Sequence, residues 1–81
     1  MKFPLFQQVA LARDIPEDRL KKGDIATVVE HHPVSSGEDG YSLEVFDALG
    51  GTIVVTVVPE SAIEELRSDQ VLSARPLAKT A

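Results

Sequence analysis

The stretch Leu20-Lys21-Lys22-Gly23-Asp24-Ile25-Ala26-Thr27-Val28-Val29-Glu30 decides the architecture. A basic turn runs through Gly23-Asp24 into a segment dominated by β-branched residues. Glycine takes positive φ without a Cβ clash, and aspartate can bond backbone two residues on, so the pair favours a tight turn. Ile25, Thr27, Val28 and Val29 then suit a pleated strand. One parity holds Ala26 and Val28, the other Ile25, Thr27 and Val29, so both faces are expected to be partly covered.

Upstream, Val9-Ala10-Leu11-Ala12 reads as a strand with Val9 and Leu11 on one face. Asp14-Ile15-Pro16-Glu17-Asp18 follows as a turn, because Pro16 lacks an N–H and confines Ile15 to extended angles. Leu20 is expected to plug the core from this loop. Downstream, residues 32–40 carry Pro33, two serines, two glycines and two acids, the composition of a loop. Tyr41-Ser42-Leu43-Glu44-Val45-Phe46 alternates, placing Tyr41, Leu43 and Val45 inward. Asp47-Ala48-Leu49-Gly50-Gly51 is a turn, and Thr52–Val58 returns as its hairpin partner.

After Pro59, Ser61 and Glu64 stand at capping-box spacing, which predicts a short helical turn near residues 61–67 with Ile63 and Leu66 on one face. Val71–Arg75 reads as a closing strand stopped by Pro76. One domain spanning residues 1–81 is expected, mainly β, with tails flexible outside residues 8–77. The architecture expected is a small SH3-like or KOW-like antiparallel barrel of about five strands, since closure removes exposed sheet edges.

Composition narrows the function. The 81 residues include no cysteine, which excludes disulfide and thiolate chemistry and suits a reducing cytoplasm. The net charge is −5, and it is uneven: residues 30–69 hold nine acids against Arg67 alone, a local sum of −8. Such a segment repels phosphate backbones and argues against nucleic acid as a partner. Met1–Phe6 is too short for a signal-peptide core, and the longest apolar run, Ile53–Val58, is far below a membrane span. No membrane association and a cytoplasmic location are expected.

Few side chains carry chemistry. His31 and His32 are adjacent on a strand and point to opposite faces, so they do not chelate one ion together, and no metal or other cofactor is expected. The carboxylates fall on loops and strand faces rather than in a pocket that would shift a pKa. No Gly-x-Ser-x-Gly, G-x-G-x-x-G or P-loop occurs, so a non-enzyme is expected. Arg19, Lys21 and Lys22 are the nucleic-acid candidates, a basic cluster on one turn without an aromatic to stack on bases.

The candidates for a protein interface are Phe46, Val54 and Val58. With Tyr41, Leu43 and Val45 inward, Phe46 points out. Ile53–Val58 is apolar on both parities, so either Val54 and Val58, or Ile53, Val55 and Val57, face away from the core. Coverage is expected from the segment around Ile63 and Leu66 or from another chain, which makes a protein partner or self-association the expected mode of action.

The chain resembles the bacterial family catalogued as domain of unknown function 4926. The resemblance rests on Val9-Ala10-Leu11, Asp14-Ile15-Pro16, Leu20-Lys21-Lys22-Gly23-Asp24, Thr27-Val28-Val29-Glu30, Tyr41–Asp47 and Val71–Leu77. Ala26 departs from it, standing where a glycine is common, as does the longer loop from His32 to Gly40. The resemblance implies an SH3-like barrel without established activity, a small partner in two-gene arrangements reminiscent of toxin–antitoxin pairs. On that basis an antitoxin-like or regulatory subunit is expected, with a KOW-like RNA- or ribosome-associated module as the alternative.

Overall fold

The computed structural model describes residues 2–77. Five strands form one antiparallel sheet: β1 (Gln8–Leu11), β2 (Ile25–His32), β3 (Gly40–Phe46), β4 (Thr52–Pro59) and β5 (Ile63–Glu65), in the spatial order β4-β3-β2-β1-β5. Two single 3₁₀ turns interrupt them, at Pro16–Asp18 and Glu60–Ala62. The fold is mainly β, as expected, with an SH3-like strand order. β4 and β5 are not paired with each other, so the sheet is an open barrel with two edges.

β2 bends the sheet. It pairs with β1 through Ile25–Thr27 and with β3 through Thr27–His32. A register shift between Val28 and Glu30 leaves Val29 as an extra residue, which bends and twists a strand locally. Ala26 and Val28 thereby enter the core with Val9, Leu11, Tyr41 and Leu43. Ile15 and Leu20 close that core from the loop between β1 and β2, bonded to each other through their backbones. Gly23 has φ +91 at the turn into β2, as the sequence requires. Asp24 does not bond forward, however: its Oδ2 accepts the Lys21 N–H at 2.8 Å, three residues back.

The packed body begins before residue 8. Phe3 is 1% exposed and meets the Tyr41 ring edge-on, with centroids 5.5 Å apart. The Tyr41 hydroxyl accepts the Lys2 and Phe3 N–H groups and donates to Glu60 Oε2 at 2.9 Å. The remaining ends expected to be flexible, Met1 and residues 78–81, lie outside the described residues.

Two expected elements are absent. The helix near residues 61–67 is replaced by the 3₁₀ turn and β5, because the free edge of β1 offers Ile63–Glu65 a full set of ladder partners. Ser61 and Glu64 form no capping box. The Ser61 N–H and hydroxyl both donate to Glu38, 23 residues away, and Glu64 sits opposite Ala10. β5 occupies that edge of β1, and Val71–Arg75 runs as irregular chain. Among the described residues no helix is long and apolar enough to cross a membrane.

Candidate functional site

The β4 edge is the most distinctive surface. Register with β3 pairs Val54 with Val45, Thr56 with Leu43 and Val58 with Tyr41, all core residues of β3. Val58 is therefore buried at 5% exposure, and Val54, partly buried, packs against the core; both lie on the inward parity of β4. The outward parity is the other one: Val55 is 55% and Val57 64% exposed. The sequence left both parities open because every residue of Ile53–Val58 except Thr56 is apolar. A bulge adds to this, since Val54 faces Val45 while Thr52 faces Phe46, leaving Ile53 extra.

The backbone of this edge can be assigned too. Glu60 N–H donates to Asp39 at 2.9 Å, and that pair continues the β3–β4 register. In an antiparallel ladder, hydrogen-bonded pairs alternate with unbonded ones. Val58, Thr56 and Val54 therefore turn their N–H and C=O groups toward β3. Those of Val55 and Val57 point away from the sheet. Nothing from Thr52 to Pro59 is charged, and edge strands lacking charge or an interior proline are open to pairing.

Phe46 keeps its outward place at 43% exposure, but away from this edge. It lines a groove of about 790 Å³ with Ile25, Ile53 and Leu72, between the sheet and the chain that follows β5. The chain's own C-terminal segment lines the same groove, with Val71 and Leu72 91% and 61% exposed. That segment is tied down by Arg75, whose guanidinium grips both oxygens of Asp24 and the Arg19 carbonyl. Burial pushes the Asp24 carboxyl up, but Arg75 and the Lys21 amide outweigh it and hold the group below its ordinary value.

The three bases of the nucleic-acid reading sit on this loop among acids. Lys21 and Lys22 donate their backbone N–H groups to Asp24 and Asp14, and Arg19 takes φ 59 at the end of the Pro16–Asp18 turn. Asp14, Asp18 and Asp24 share the loop, which offsets its positive charge. No aromatic residue lies within it.

The histidines organise the opposite end. His31 Nε2 is 2.7 Å from Asp39 Oδ2, and its ring lies 5.1 Å from that of Tyr41. That histidine, with the Val34 N–H, holds the Asp39 carboxyl below its ordinary value and closes the loop between β2 and β3. His32 Nε2 is 2.7 Å from Ser42 Oγ, a base–hydroxyl contact of the sort nucleophilic catalysis needs. Among the described residues no third group bonds the other ring nitrogen to orient it. Glu30 approaches the same Nε2 at 3.8 Å, leaving Nδ1 without that carboxylate, and Ser42 is 7% exposed. Among the described residues no three metal-ligating side chains converge.

No curated protein and no solved structure matches this chain. Residues 5–71 match a family model, so the motifs quoted from Val9 to Asp47 fall inside the match and all but the first residue of Val71–Leu77 falls outside it. The match takes in all five strands, and the chain belongs to the family described as domain of unknown function (DUF4926).

Proposed function

We propose that this protein is a non-catalytic binding module that recognises another protein, as a regulatory or antitoxin-like subunit of the cytoplasm, with β4 as its docking strand. The observation that carries this reading is the uncharged β4 edge, where Val55 and Val57 present both side chains and backbone groups. Strand addition draws affinity from those backbone groups and specificity from alternate side chains. The peptide-binding mode that uses aromatic-lined grooves finds less support, since Phe46 is the one aromatic lining the large groove. An RNA-binding role finds less again, because the acids around Arg19, Lys21 and Lys22 limit counterion release.

The test is affinity capture from native cytoplasm, comparing the wild-type chain with a Val55→Lys, Val57→Lys variant. Circular dichroism serves as the control for folding. A protein recovered with the wild type and lost with the variant is the expected result. Recovery of RNA that depends on Lys21 and Lys22 would replace this reading with the KOW-like one. Capture that is indifferent to both changes would move the docking surface off β4.

A further inference from the structure

We propose that the partner of the β4 edge is a second copy of this chain, joined by antiparallel β4–β4 pairing about a two-fold axis at Thr56. This rests on the reading of β4 as a docking strand and names its occupant. The inference comes from register. Only Val55 and Val57, with the strand ends, turn backbone groups outward, so a symmetric ladder must bond these residues to each other.

Three two-fold registers bring them into play. An axis at Val57 pairs Val55 with Pro59, which has no N–H to give. An axis at Val55 pairs Val57 with Ile53, the bulged residue. An axis at Thr56 pairs Val55 of each copy with Val57 of the other. All four N–H groups and all four C=O groups are then satisfied across the axis.

The side chains agree with that register. On the outer face, Val55 and Val57 of one copy meet Val57 and Val55 of the other, merging two small apolar patches into one. β-Branched cross-strand pairs of this kind stabilise sheets. On the inner face, Thr56 stands opposite Thr56, an unbonded pair in which side chains approach closely. The strand brings no charge to the axis, although each copy carries −5 overall. Screening that repulsion predicts an association that tightens as salt rises.

Because the chain has no cysteine, Thr56→Cys creates a single thiol per copy. Across an unbonded antiparallel pair the Cα atoms stand about 4.5 Å apart, within disulfide range. Mild oxidation should convert most of this variant to a covalent dimer. Leu49→Cys, on a residue 98% exposed at the hairpin tip, should crosslink far more slowly. Equal crosslinking of both variants would reduce the contact to random collision and overturn the proposal.

Sedimentation equilibrium supplies the second arm. The wild-type mass should rise to twice the monomer's with concentration, and more readily at high salt. Val57→Pro removes one outward N–H and leaves the β3 ladder intact, so it should fold and stay monomeric; Val57→Lys provides the same test without a backbone change. A dimer that survives both variants would overturn the proposal. So would a wild type that stays monomeric, and if the β4 variants then still lose a captured heterologous protein, the docking-strand reading stands while its occupant changes.

Discussion

Arg75 and Asp24, 51 residues apart in sequence, form a two-pronged ion pair. The Nε donates to Oδ1 at 2.9 Å, and a terminal guanidinium nitrogen donates to Oδ2 and to the Arg19 carbonyl. Planar, bidentate recognition of this sort fixes orientation as well as distance. It clasps a segment whose Val71 and Leu72 side chains are largely exposed, along a groove that Leu72 and Phe46 both line.

Arg75→Ala should therefore loosen that segment with little effect on the body. Both side chains keep some exposure, 30% and 17%, so the loss in global stability is expected to be small. Hydrogen exchange over residues 66–77 should quicken, as should tryptic cleavage after Arg67. Unchanged exchange there would assign the hold to the groove's apolar contacts instead.

Acid should act on three carboxylates together. Asp24, Glu38 and Asp39 are all held below ordinary values of 3.8, 4.5 and 3.8. The Ser61 N–H and hydroxyl do this for Glu38; His31 and the Val34 N–H do it for Asp39. A group whose pKa falls on folding adds stability above its unfolded pKa and loses it as pH drops through the folded one. The melting temperature should hold steady from pH 7 to about 5 and fall below roughly 4.5. Asp24→Asn, Glu38→Gln and Asp39→Asn should each lower the plateau and flatten the acid limb. An acid limb that none of them changes would place the titration elsewhere.

How far the sequence was readable depends on how local each signal was. In β3 the alternation of Tyr41, Leu43 and Val45 with Ser42 and Glu44 marked the inner face directly, and Gly23 marked its turn. The parity of β4 was hidden, because valines on both sides leave no contrast and the bulge at Ile53 resets the count. Ser61 and Glu64 made a genuine local helix signal, overruled by partners the sequence does not display nearby: the β1 edge and Glu38. The Arg75–Asp24 clasp and the burial of Phe3 against Tyr41 are likewise long-range. The exposed edge at Val55 and Val57 became visible only once the register with β3 was known.

Tyr41 tests the long-range anchoring of the N-terminal residues. It is 0% exposed, and its hydroxyl is the acceptor for Lys2 and Phe3 and the donor to Glu60. Tyr41→Phe keeps the ring contact with Phe3 but leaves those groups without their partner, at a cost of about 1–3 kcal/mol. Phe3→Ala removes the ring and its packing, and should cost about 3–5 kcal/mol. Denaturant melts with an unchanged slope would measure both. If Tyr41→Phe proves neutral, water replaces the hydroxyl and the Lys2–Phe3 segment is held by packing alone.

Phe6 presents the opposite case, a residue held at a cost. Its φ is +68, a region bulky residues seldom occupy, and the residue is 74% exposed, so little burial compensates. The backbone is held there by the Phe6 N–H donated to Val28 and the Val28 N–H donated to Gln7. Left-handed geometry costs an L-residue roughly 1–2 kcal/mol, while glycine's extra chain entropy costs about 0.5–1. Phe6→Gly should thus stabilise the fold by roughly 0.5–1 kcal/mol in a denaturant melt. A loss of stability instead would show that the side chain packs more than the residue's exposure suggests. If the variant is more stable yet binds its partner less well, the strain at Phe6 serves to display an aromatic side chain to that partner.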